Sequence, residues 1–303
     1  MSAPGGIPDG LAEDVERLFG DPGRAWLATV PAILDRAARD WALALDDPPR
    51  HGAHGLVVPV RQAGIAFALK IAYPDETTAL EIAGLRAWDG HGTVRLVDAI
   101  PDDGAVLMER LDAGRDLTSL PIDEAIREAG RLTRRLATAP PVDAAFASTA
   151  GRATEIASTL AERWDRLGRP FPPSQLERTV TLARSLARSD SGRMATWDLH
   201  SENVLWGDRA GWTMIDPMPL TGDPEVALAP FLWTRVEEIA GPGHLQQLFA
   251  GYVAFGALDA ARTWSWLTVR LADYWLWGLD IGLTIDPQRC RTLLDWLAQL
   301  SGR

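Results

Sequence analysis

A chain of 303 residues with 47% hydrophobic residues and thirteen tryptophans can bury the core of one large domain or of two lobes. A net charge of −11 argues against the basic face of a nucleic-acid binder, and the single cysteine, Cys290, excludes an intrachain disulfide and fits a reducing compartment. The opening residues MSAPGGIPDG lack the basic and apolar regions of a signal peptide, and the most apolar stretch, Trp264–Ile285, is interrupted by Arg270, Asp273 and Asp280. A cytoplasmic protein, a monomer with no membrane or nucleic-acid partner, is expected.

Apolar residues at helical spacing over Gly10–Arg39 predict two helices broken at Gly20–Gly23. Trp41–Leu45, Leu56–Val60 and Ile65–Ile71 read as strands, the last two joined by a turn at Gln62–Gly64. Thr77–Trp88 has the period of a helix, and Val94–Val97 and Ala105–Glu109 read as two further strands. Leu117–Leu120 and Ile122–Ala139 open a helical region. A loop at Pro140–Thr149 precedes helices near Arg152–Leu167 and Pro173–Ala187. Glu225–Leu300 is helical, apolar and rich in tryptophan. The expected fold is α+β, with a β-rich lobe over residues 1–109 and a larger, mainly helical lobe over residues 110–303.

The chemistry concentrates in Thr196–Pro217, TWDLHSENVLWGDRAGWTMIDP. Val204–Trp206 and Trp212–Ile215 are short apolar strands around the turn Gly207–Gly211, so the hairpin returns Asp216 beside Asn203, with Asp198 just ahead of both. A carboxylate for a hydroxyl, followed by an amide and a carboxylate for Mg²⁺, is the catalytic half of a kinase-type phosphotransferase. A second signal is compositional. Among 30 Lys and Arg, only residue 70 is lysine, and only residue 203 is asparagine. A composition that uses Arg for nearly every positive charge keeps an ammonium and an amide where phosphate and metal chemistry would require them.

The spacing resembles that of aminoglycoside phosphotransferases. The pieces GLAEDVERLFGDPGRAWLATVPAIL, LVVPV, ALKIAYPDETTALEIAGLRAWDGHGTVRLVD, MERLDAGRDL, WDLHSENVL and IDPMPLTGDP resemble the streptomycin 6-kinase and hydroxyurea phosphotransferase family, in that family's order. The resemblance implies a bilobal protein-kinase-like fold that binds ATP and Mg²⁺. It implies Asp198 as the catalytic carboxylate and Asn203 and Asp216 as metal ligands. Lys70 would fix the phosphates, braced by Glu81, with Glu76 as the other candidate. The loop Asp47–Gly55 would cover the phosphates, Gly52 and Gly55 permitting close approach. Met108, Glu109 and Arg110 would form the hinge that reads adenine through its backbone. Asp223, in Gly-Asp-Pro, resembles a position that supports the metal site, and is equally read as a turn residue. His200 is expected to order the loop rather than to react.

Two positions depart from the pattern. Thr196 stands where such kinases carry His, and Ala227 where they carry Asp. The departures are read either as a compensated local packing, with Thr196 hydrogen bonding in place of the imidazole, or as a slow enzyme or one that binds nucleotide without catalysis. The implied acceptor is a small, cationic, polyhydroxylated molecule such as streptomycin. It would sit among Glu237, Glu238, Asp273 and Asp280, with Trp275 and Trp277 covering its faces. A metabolic kinase of a sugar or amino sugar, and a silent nucleotide-binding protein, are the other readings.

Overall fold

Residues 8–52, 55–143 and 145–301 are described in a computed structural model. Most of the N-terminal decapeptide, and Ala53 and His54 of the Asp47–Gly55 loop, lie outside the described residues. The chain divides into two compact units, Met1–Asp112 with Gly207–Arg209, and Ala113–Trp206 with Ala210–Arg303. The boundary thus falls at Asp112 instead of residue 109. The hairpin turn groups with the first unit because Arg209 bonds both carboxylate oxygens of Glu109 and the carbonyls of Gly90 and Thr93.

In the first unit, α1 (Asp9–Leu27) is broken at Gly20, where φ is 59° and ψ −138°. Such a left-handed residue ends one helical axis and starts another. In α2 (Val30–Asp40), Val30, Ile33, Leu34 and Ala37 are buried, the i, i+3, i+4, i+7 stripe of a helix lying on a core. Strands β1 (Ala44–Leu45), β2 (Arg50–Gly52), β3 (Gly55–Gln62) and β4 (Ile65–Ala72) precede helix α3 (Glu76–Trp88), followed by β5 (Leu96–Ile100) and β6 (Ala105–Glu109). They form one sheet of order β1-β3-β4-β6-β5, with β2 also paired to β3. Two predicted strands shift. The first shrinks to Ala44–Leu45 because Trp41 still closes α2 and Ala42 turns at φ 49°. The other, expected at Val94–Val97, starts two residues later with a register shift between Leu96 and Asp98. One core collects Leu11 and Val15 from α1, the α2 stripe, Val58, Leu69, Ile71 and Leu107. Side chains alternate across a strand, so Leu69 and Ile71 enter this core while Lys70, between them, takes the opposite face.

The second unit holds β7 (Asp112–Asp116), α4 (Ile122–Leu136), α5 (Thr149–Arg166), α6 (Pro173–Leu186), β8 (Arg193–Thr196), β9 (Val204–Gly207), β10 (Gly211–Met214) and β11 (Pro219–Gly222). Four helices follow: α7 (Leu228–Trp233), α8 (Pro242–Gly256), α9 (Ala260–Asp280) and α10 (Ile285–Ser301). The small sheets are β10-β9-β7 and β11-β8. Helix α9, capped by Asp259 accepting the Arg262 N–H, packs against α5, α6, α7 and α10. It buries Trp266, Leu267, Val269, Leu271, Trp275 and Leu276 together with one charged side chain, Arg270. Helices α4 and α8 approach closely at Gly130, where a Cβ would stand 2.7 Å from the Tyr252 carbonyl oxygen.

Candidate active site

In the second unit, β8 pairs antiparallel with β11, Thr196 opposite Pro219, and the Trp197 N–H donates to the Met218 carbonyl at 2.9 Å. This ribbon delivers Asp198 at its end. A single 3₁₀ turn, Ser201–Asn203, leads into β9, and the hairpin with β10 closes as sequence chemistry requires. The Ile215 N–H donates to the Asn203 carbonyl at 2.8 Å, so Asp216 follows one residue beyond a backbone bond to Asn203. Asp216 has φ 56°, a left-handed conformation that non-glycine residues hold mainly where the surroundings enforce it, as at functional sites.

Asp198 lies on the wall of a cavity of about 680 Å³, along with His200, Trp197 and Glu202 from the same loop. His200 Nε2 stands 3.8 Å from Asp198 Oδ2, beyond hydrogen-bond distance. Helices α5 and α9 supply Glu155, Arg163, Arg270, Asp273, Tyr274 and Trp277 to the same wall, and Arg152, Trp233 and Asp286 complete its charged and aromatic lining. The lining carries five carboxylates (Glu155, Asp198, Glu202, Asp273, Asp286) against three guanidiniums (Arg152, Arg163, Arg270). Trp233, Tyr274 and Trp277 form a stack, with centroids 4.0 Å and then 5.2 Å apart at interplanar angles of 6° and 28°. Burial followed by the nearby Asp286 carboxylate pushes the Tyr274 phenol well above its usual range. It stays neutral.

The expected acceptor residues separate. Asp273 and Trp277 line the cavity, Trp277 being 43% exposed. Asp280 and Glu237 do not. Asp280 accepts both Arg166 Nη atoms, at 2.5 and 2.9 Å, and this pairing holds its carboxyl below the usual range. Glu237 accepts Arg289 at 2.6 Å, and Glu238 takes Arg235 in a fork. Trp275 is core, its ring 5.3 Å from Phe171. Asp280 and Glu237 are thus engaged by arginines distant in sequence, and Glu238 by Arg235 three residues before it. Asp273 itself pairs with Arg163 at 2.7 Å and remains on the wall.

The two departures are not compensated as expected. The Thr196 hydroxyl is buried and has no hydrogen-bond partner, so it does not replace an imidazole. Ala227 is 1% exposed and contributes only packing. Asp223 is fully buried and engaged structurally, accepting the Ser191 N–H at 3.0 Å and the Trp266 indole N–H at 2.8 Å, beside Arg262 at 2.5 Å. It ties the segment before β8 to α9. Ala227→Asp alone is expected to destabilise the fold, because it buries a carboxylate where the alanine side chain contributes only packing, a cost of about 1–3 kcal/mol or more. A lowered Tm checks this; an unchanged Tm with raised kcat contradicts it.

In the first unit, Lys70 Nζ lies 2.8 and 2.7 Å from the two oxygens of Glu81, on side chains that are 12% and 6% exposed. Glu76, in the first turn of α3, is exposed and stays apart. Gly55 is required by the fold, since a Cβ there would meet the Ile71 carbonyl at 2.6 Å; Gly52 opens onto free space. Met108 is buried. The Glu109 N–H donates to the Arg95 carbonyl, and its carboxylate accepts Arg209 and the Arg95 N–H. Burial raises the Glu109 pKa, but those partners outweigh it and hold the carboxyl below its usual range. Arg110 pairs with Asp46 at 2.5 Å. The Glu109 N–H is thus committed to the Arg95 carbonyl.

A lysine–glutamate pair on β4 and α3, and the Asp198–Asn203–Asp216 loop and hairpin, define a protein-kinase-like phosphotransferase scaffold. The chain belongs to the aminoglycoside/hydroxyurea antibiotic resistance kinase family, whose profile matches residues 40–282. It is 38% identical to streptomycin 6-kinase of Streptomyces griseus over 286 residues, 92% of each chain. It is 35% identical to hydroxyurea phosphotransferase of Kitasatospora aureofaciens, covering 93% of this chain and 83% of that protein. Among solved structures, a thermostable mutant of aminoglycoside phosphotransferase APH(4)-Ia in ternary complex with ADP and hygromycin B superposes with a TM-score of 0.60 at 12% identity. The match covers 86% of this chain and 97% of the other. No helix among the described residues is long and apolar enough to cross a membrane.

Proposed function

We propose that the protein is a kinase that transfers the γ-phosphoryl group of ATP to a hydroxyl of an aminoglycoside such as streptomycin, an activity that confers antibiotic resistance. The observation that carries this reading is Asp198 on the wall of a cavity that is rich in carboxylates and bounded by an aromatic stack. Such a wall suits a molecule with cationic groups and hydroxyls. Carboxylates accept its N–H groups in charge-assisted bonds, and ring faces attract its flat guanidiniums. Family membership and the identity with streptomycin 6-kinase support the same acceptor class.

Asp198 orients the acceptor hydroxyl and accepts its proton as the oxygen–phosphorus bond forms and the bond to ADP breaks. Lys70, fixed by Glu81, places an ammonium for the nucleotide phosphates. The Asn203 amide and the Asp216 carboxylate are hard oxygen donors on one backbone-bonded hairpin, a donor set that would hold Mg²⁺. When bound, the ion neutralises charge developing on the transferred group.

Acceptor binding is tested by kinetics on the best acceptor found. Trp277→Ala removes one exposed plate of the stack, and Asp273→Asn removes one charge from the wall. Each is expected to raise the acceptor KM about tenfold, equivalent to ~1.4 kcal/mol, with kcat held within threefold. An acceptor KM indifferent to both substitutions contradicts the cationic-pocket reading.

A further inference from the structure

Two braces common to this scaffold are missing from the catalytic loop. Thr196 carries a buried hydroxyl without a hydrogen-bond partner, and the side chain of Ala227 has no polar atom. The loop still has to hold Asp198 in one direction, since misplacement by about 1 Å can cost about a hundredfold in rate. Another group must do this work, and α9 supplies one.

Arg270 is 4% exposed, one of the most deeply buried cations of the described chain. Its Nη2 donates to the Trp197 carbonyl at 2.9 Å, the peptide that leads directly into Asp198. Its Cζ lies over the Trp197 ring, 3.4 Å from the centroid, so the guanidinium covers the side chain of the residue whose backbone it holds. Trp197 is fixed on another side by Trp266, edge-on at 6.4 Å, four residues earlier on α9, and Trp266 is itself anchored to Asp223. Burial lowers the Arg270 pKa to about 10, with the Asp273 and Asp198 carboxylates pulling against it. The group is charged at neutral pH. A charge held this deep persists only where its partners compensate the lost hydration.

We infer that Arg270 is a positioning residue for phosphoryl transfer: from α9 it grips the carbonyl and ring of Trp197 and so sets the direction of the Asp198 carboxylate. The inference rests on the kinase reading above. It moves the bracing of the loop from the loop's own flanks to the helix that also carries Asp273, Tyr274 and Trp277 to the acceptor cavity. Acceptor-side helix and catalytic aspartate are then one mechanical unit, in which α9 reaches the peptide before Asp198 through Arg270 and, beside it, Trp266.

The test compares Arg270→Met and Arg270→Lys with the wild type. Arg270→Met keeps a long side chain but leaves the Trp197 carbonyl without this donor and removes a buried charge, so some loss of stability is expected. Tm and ATP affinity are measured first. For R270M, kcat is expected to fall at least thirtyfold, with KM for ATP within threefold of wild type and KM for the acceptor unchanged or lowered, because a cation leaves the cavity wall. R270K retains one donor for the Trp197 carbonyl but not the guanidinium over the ring, and is expected to recover kcat only in part, to about three- to tenfold below wild type. A folded R270M that keeps more than a third of wild-type kcat overturns the inference. A loss confined to the acceptor KM also overturns it, because Arg270 would then bind substrate and not set Asp198. If R270M does not fold, folded R270K decides: kcat lowered with KM held supports the inference, and kcat unchanged overturns it. A wild-type protein that phosphorylates no acceptor removes the kinase reading itself, and the inference with it, whatever the variants do.

Discussion

Asp198→Asn is expected to lower kcat for phosphoryl transfer by about 10²–10⁴-fold, the usual contribution of a positioned general base. The substitution keeps the side chain's size and its place at the end of the β8–β11 ribbon, so the Trp197–Met218 backbone bond and the Arg270–Trp197 contact should persist. Only the acceptor for the hydroxyl proton is removed. Tm and ATP affinity should therefore stay near wild type while turnover collapses, which separates a chemical defect from a folding defect. An Asn variant retaining more than a tenth of wild-type kcat, a deficit below ~1.4 kcal/mol, would mean that another group takes the proton. His200 would be the first candidate, standing 3.8 Å away on the same wall.

The second large effect is expected at the metal donors. Asp216→Ala and Asn203→Ala each remove an oxygen ligand, and the Mg²⁺ concentration for half-maximal activity should rise in both, more for Asp216 because it removes a charge as well. At saturating Mg²⁺, Asn203→Ala should recover more of its activity than Asp216→Ala. Asp216 also holds a left-handed backbone that alanine tolerates less well than aspartate. A parallel measurement of Tm is needed to separate relaxation of the turn from loss of the ligand. Unchanged magnesium titrations for both variants contradict the assignment.

Local order made much of this legible in the sequence. The hairpin that returns Asp216 to Asn203 is set by a turn and two short apolar runs. The face of β4 that carries Lys70 follows from alternation, because Leu69 and Ile71 had to enter the core. Long-range charge pairing was not legible. Whether Asp273, Asp280 and Glu237 faced an acceptor or an arginine depended on Arg163, Arg166 and Arg289, brought near by helix packing. Residues 275 and 277 of α9 lie about 200° apart around the helix axis, so only one of the two tryptophans could face the cavity. The sequence did not say which. The unpartnered Thr196 hydroxyl and the buried Arg270 were hidden for the same reason, since a buried arginine looks like any other in an arginine-rich chain.

The most direct measurement of the central claim is product mass. Purified protein is incubated with ATP, Mg²⁺ and, separately, streptomycin, other aminoglycosides, glucosamine and hydroxyurea, and each acceptor is weighed by mass spectrometry. The expected result is one phosphoryl group added to streptomycin or another cationic aminoglycoside, dependent on ATP and lost in Asp198→Asn. Modification of an uncharged acceptor in preference to every aminoglycoside, or no phosphorylated product from any acceptor by a protein that binds ATP, would contradict it.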